Sequence, residues 1–141
     1  GLADQNRANS ILHYIEKKRI NRPYPVKCID PPIYPGTKLW KSYFSKSDAR
    51  TPHMYLNGGI WPFIGGFYVA ALVKTKQFKK AGQELELLAK AMKQGKKLEW
   101  EFNEWLDGTQ GKPRGGIYHA WSAGAYIFAC ECVKRKQVPF F

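Results

Sequence analysis

The sequence predicts an all-α fold of helical hairpins in two layers, and three observations carry that reading. Apolar residues recur at helical spacing in four segments of the chain. Those segments alternate between a striped kind and a kind that is apolar on every side. The connections alternate as well, short after the first all-apolar segment and long before each of them.

The first helix is expected over about 5–19, where Ala8, Ile11, Leu12 and Ile15 form an amphipathic stripe. The second, about 61–76, is apolar all round until its end, and Pro62 fits only a first helical turn, which fixes its start. The third, about 78–94, is striped again through Ala81, Leu85, Leu88 and Met92. The fourth, about 119–135, returns to the all-apolar kind through Ala123, Ala125, Ile127, Phe128, Ala129 and Val133. A helix apolar all round must be covered on all sides, whereas a striped one can face water. The order outer, inner, outer, inner is what a two-layer ring of hairpins requires. Glycine costs about 1 kcal/mol in a helix, so Gly65-Gly66 and Ala123-Gly124 on the inner helices point to close packing.

The long links, 20–60 and 95–118, both enter inner helices at their N-termini and should converge on one face. Connections beyond about 15 residues are usually functional. Six prolines, Pro23, Pro25, Pro31, Pro32, Pro35 and Pro52, punctuate the first link. No internal repeat or low-complexity segment accompanies the hairpins.

At 141 residues with 44% hydrophobic content, the chain has the material for one domain with a real core. It begins at Gly1 without an initiator Met, as expected of a processed or recombinant piece of something longer. The net charge of +12 is spread over pairs and triplets such as Lys17-Lys18-Arg19 and Lys134-Arg135-Lys136. A solvated surface is therefore expected rather than a nucleic-acid groove. The 3 cysteines, Cys28, Cys130 and Cys132, form no metal pattern and read as reduced, buried thiols of a cytoplasmic protein. The apolar run 60–73 spans about 14 residues, too short for a bilayer.

Chemistry concentrates in the aromatic-rich blocks; the chain has 5 Trp, 8 Tyr and 8 Phe. Glu104 lies between Trp100 and Trp105, an acid able to activate water among rings that can stack on a sugar. A second block, Tyr118-His-Ala-Trp-Ser-Ala-Gly124, opens the fourth helix. Trp61, Trp105 and Trp121 are candidate sugar platforms, and Asn57, Tyr118 and His119 are candidates to bind hydroxyls. Glu99 and Glu101 are local rivals to Glu104, Asp107-Gly108 reads as a turn, and Arg114 as a loop residue. No phosphate-binding loop, His-x-x-x-His or paired-Cys motif is present, and neither Ser122 nor any Cys has a nucleophile's setting. No cofactor or metal is expected.

The blocks Asn57–Ala71, Glu101–Gly108 and Tyr118–Gly124 give the chain a family resemblance over residues 52–133. It resembles the six-hairpin glycosidases, most closely the glycogen-debranching (amylo-alpha-1,6-glucosidase-like) proteins and the related neutral/alkaline invertases. Residues 1–50 match only in style. The resemblance implies an (α/α)6 toroid and hydrolysis with inversion, for which an acid and a base stand about 6.5–9.5 Å apart. It assigns Glu104 to the base. The family's acid, an Asp from an earlier part of the ring, has no matching segment here, and Leu56 stands where many relatives carry His. Residues 1–141 are accordingly expected to be one segment, the C-terminal part of a larger catalytic domain. Its partners would be a carbohydrate, an α-glucoside or glucan, and the remaining N-terminal part of that domain or another chain, with no nucleic acid or membrane. The alternatives are a sucrose-cleaving invertase-like hydrolase, a non-catalytic sugar-binding or oligomerising domain, and, more remotely, a basic nucleic-acid binder.

Overall fold

A computed structural model describes residues 2–139. Its helices form within two residues of the expected bounds: α1 Gln5–Lys17, α2 Pro62–Lys74, α3 Phe78–Lys93 and α4 Ala120–Arg135. Asp4 caps α1 by accepting the Arg7 N–H at 2.8 Å. Pro62 occupies the first turn of α2, as its fixed φ and missing N–H dictate. The tight link after α2 closes by Gln77 N–H donating to the Leu72 carbonyl at 2.8 Å, with Lys76 left-handed at φ 61°.

Helix α2 packs against both α3 and α4, and those two also touch each other. Val69, Leu72 and Val73 of α2, Ala81 and Leu88 of α3, and Ala129 and Cys132 of α4 form the main core. Helix α1 adds Leu12, and its Glu16 pairs with Lys80 of α3 at 2.7 Å. Ile11, expected on the α1 stripe, instead faces solvent. The expectation of buried thiols is met at Cys132 but not at Cys28 and Cys130, which are half-buried. A Cβ on Gly66 would sit 2.6 Å from the Ala125 carbonyl of α4, and one on Gly65 would strike the Pro25 carbonyl. These two glycines are close-approach sites, whereas a Cβ on Gly124 would meet open space, contrary to expectation.

The two inner helices differ in cover. Most of α2 is buried, but only Ser122, Ala129 and Cys132 are buried on α4. Trp121 and Ile127 of α4 and Phe67 of α2 face outward, so the all-apolar helices are not enclosed by the described residues. Phe63, Phe67, Trp121, Gly124, Ala125 and Phe128 line an apolar groove there of about 440 Å³.

The long connections carry more structure than was expected. Short 3-10 turns occupy Ser42–Lys46 and Asp48–Arg50 of the first. In the second, β1 Trp105–Leu106 pairs antiparallel with β2 Pro113–Arg114, which puts Arg114 in a strand rather than a free loop. Ile60 ties the two connections together. It exchanges backbone hydrogen bonds of 2.8 Å with Leu106 in both directions. A second core of Ile60, Ala91, Met92 and Leu106, flanked by Tyr24 and Phe102, lies against this bridge.

Candidate functional site

The segment before β1 is strapped to the N-terminus of α4. Tyr118 N–H donates to the Glu101 carbonyl at 2.6 Å, His119 N–H to the Phe102 carbonyl at 3.1 Å, and Ser122 Oγ to the Asn103 carbonyl at 3.1 Å. Glu104 is thereby brought to the first turn of α4, with its Oε2 3.8 Å from His119 Nε2. The same Oε2 accepts the Gly116 N–H at 3.0 Å, while Glu104 N–H donates back to the Gly116 carbonyl at 2.9 Å. The ammonium of Lys96 donates to the Gly115 carbonyl and pins that loop. Oε1 makes no hydrogen bond among the described residues, and the Glu104 side chain keeps 21% of its surface exposed. One oxygen is fixed and the other is free.

The two rival carboxylates have other duties. Glu101 is fully buried and accepts the backbone N–H groups of Lys96, Lys97 and Leu98 at 2.6, 3.0 and 2.8 Å. Burial alone would raise its pKa, but those three donors prevail and hold it below the ordinary value. Glu99 is exposed and pairs with Lys93 at 3.4 Å. Asp107 forms the turn read from the sequence: Oδ1 accepts from Thr109 and Gln110, and Oδ2 from the Lys112 N–H at 2.9 Å. It too is held below the ordinary carboxylate value, its hydrogen bonds outweighing the effect of burial.

The structure sorts the other candidates by exposure. Trp121 is half exposed, stands 5.1 Å from the His119 ring and 5.8 Å from Phe63, and is open to a ligand. Tyr118 is exposed, held left-handed at φ 58°. His119 is half buried and, although it occupies the N-cap position, its side chain makes no capping bond. Trp61 is buried, and its indole N–H is bound to the Tyr55 carbonyl at 3.1 Å. Trp105 is also almost wholly buried, wedged between Gly59, Gly115 and the Tyr55 ring, and offers only an edge to the cleft.

Asn57 is the plainest correction. It was expected to present its amide to a hydroxyl, but it has no exposed surface. Its Nδ2 donates to the Ile33 and Ala49 carbonyls at 2.8 and 3.0 Å, and its Oδ1 accepts the Ile33 N–H at 2.7 Å. It clamps the proline-rich connection in place. The residues this clamp delivers went unread in the sequence. Ser47, Asp48 and Tyr55 join Glu104, Trp105 and Gly115 around a cleft of about 370 Å³. The Ser-Asp pair opening a short turn was the available signal, since Ser47 Oγ accepts the Ala49 N–H.

The fold is thus a set of helical hairpins that brings a partly exposed carboxylate, a histidine and aromatic rings to the N-terminus of α4. A family model described as amylo-alpha-1,6-glucosidase matches residues 1–128, and the chain belongs to that family. It is thus a glycogen-debranching-like glycosidase domain, and the likeness reaches residues 1–50, where the sequence blocks alone had stopped. No curated protein matches the chain.

Proposed function

We propose that this chain is the C-terminal part of an inverting glycoside hydrolase that cleaves α-glucosidic bonds of the glycogen-debranching kind. Glu104 is its general base. The observation that carries this reading is the asymmetry of the Glu104 carboxylate. Oε2 is oriented by the Gly116 N–H beside His119, while Oε1 is free to take a proton from water. As that proton leaves, the water oxygen bonds to the anomeric carbon. The glycosidic oxygen departs with a proton from an acid supplied by the rest of the ring, as inversion requires. Trp121 stacks on a sugar ring and Tyr118 and His119 contact hydroxyls, a division supported by their exposure. Trp61 and Trp105 support the site from beneath.

The apolar groove between α2 and α4 is covered, on this reading, by the remaining helices of an (α/α)6 toroid. Its uncovered rings support that placement, since exposed apolar patches mark interaction surfaces. The three free cysteines accord with a reducing, cytoplasmic setting. Glu104→Gln in the full-length enzyme should lower turnover about 10²–10⁴-fold, the usual contribution of a general base, while glucan binding is retained. Near-normal turnover in that variant would reject the assignment.

A further inference from the structure

The segments that form the Glu104 cleft also contribute to a second, differently built pocket. Arg19, Arg22 and Lys27 line about 340 Å³ together with His53, Gly108 and Thr109. The backbone gathers these cations. Arg19 takes a left-handed φ of 56° just after α1, Arg22 N–H donates to the Arg19 carbonyl at 3.1 Å, and Lys27 N–H to the Ile20 carbonyl at 3.0 Å. Across the pocket, Gly108 N–H donates to the His53 carbonyl at 2.8 Å and fixes the other wall.

Among the described residues no carboxylate lines this pocket. Nearby Asp107 has turned both oxygens onto its own turn. Among the described residues Arg19 and Lys27 make no ion pair, though Lys27 is half buried. Arg22 is held from behind, its Nη1 bonded to Glu84 Oε1 at 2.9 Å and to the Asn21 carbonyl at 2.8 Å. Its remaining donors are unspent. His53 has a buried Nδ1 with no hydrogen-bond partner among the described residues. The Arg22 charge is already paired with Glu84, so the uncompensated charge of the concavity is that of Arg19 and Lys27, which repel each other unless an anion joins them, and the Arg19 and Arg22 forks suit a tetrahedral oxyanion.

We propose that this pocket binds a phosphate-type oxyanion, either inorganic phosphate or a phosphate monoester carried by a sugar. His53 and Gly108 of this pocket lie on the same two segments that bring Tyr55 and Trp105 to the Glu104 cleft. An occupied pocket would therefore brace that cleft.

Calorimetric titration of the full chain at low ionic strength tests this, with inorganic phosphate and glucose 6-phosphate as separate probes. Saturable binding of one equivalent is expected. The double variant Arg19→Ala/Lys27→Ala removes two unpaired side chains, so it should fold normally by circular dichroism. It should bind at least about tenfold more weakly, the factor for 1.4 kcal/mol. Lys79→Ala/Lys134→Ala, which removes equal charge elsewhere, should bind as the parent does. Tighter binding of glucose 6-phosphate than of phosphate identifies the monoester; equal or weaker binding identifies the free anion. Absence of saturable binding by both probes, or equal weakening in the two double variants, overturns the proposal.

Discussion

Glu101 and Glu104 are three residues apart on one segment, yet they are put to opposite uses. Glu101 is sealed from solvent and spends both oxygens on three backbone N–H groups, so it organises the 95–98 turn. Glu104 spends one oxygen on Gly116, keeps the other free, and opens onto a cleft. A buried carboxylate with both oxygens engaged is a structural anchor; one that is oriented through one oxygen and keeps the other free can still take a proton. The difference lies in neighbours, not in residue type.

The largest expected effect that tests this contrast is the loss of turnover in Glu104→Gln, with the melting temperature little changed because the Gly116 contact can persist. Glu101→Gln should reverse the pattern, lowering the melting temperature more and turnover only in step with it. If both substitutions act alike in melting and kinetics, the distinction fails.

Next in size is Gly115→Ala. Gly115 has φ +67°, and an added Cβ would stand 2.5 Å from Glu104 Oε2 and 2.6 Å from the Trp105 ring. Turnover should fall by up to about 10²-fold, as expected when a reacting group is displaced by about 1 Å, with KM less affected. Unchanged kcat would show that the orientation of Oε2 does not matter.

Acid stability sharpens the contrast further. Glu101 and Asp107 are both held below their ordinary values of 4.5 and 3.8. Their ionised forms therefore stabilise the fold at neutral pH, and that contribution is lost as pH falls below about 4 through the depressed folded values. Urea midpoints measured from pH 7 to 2 should drop in this range, and the drop should shrink in Glu101→Gln and Asp107→Asn. An equally steep acid limb in both variants would assign it to other groups.

The smallest effect is expected at Trp121. Trp121→Ala should weaken glucan binding several-fold with little change in stability. Trp61→Ala, by removing a buried ring, should cost about 3–5 kcal/mol of stability. Equal destabilisation by both would contradict the exposure of Trp121.

Helix positions were legible because periodicity and Pro62 are local signals. The convergence of the long connections was legible too, because chain direction alone sets which helix ends they reach. The strand pair was not. It is a ladder of two residues a side, too short to show a period-2 pattern, and Pro113 lies in a stretch that reads as loop. Asn57 misled for a different reason. An Asn-Gly-Gly turn looks exposed in sequence, and only the distant Ile33 and Ala49 bury it. The cleft residues Ser47, Asp48 and Tyr55 stayed hidden behind that same clamp.

The contact between Trp61 and Trp121, with ring centroids 6.3 Å apart and planes at 62°, has an optical consequence. Two indoles so close and so inclined couple their excited states, giving a paired signal of opposite sign in far-ultraviolet circular dichroism. One ring is locked in the interior and the other faces the solvent. A sugar stacked on Trp121, as proposed, would alter that couplet without touching Trp61, which makes the indole pair a label-free test of that placement.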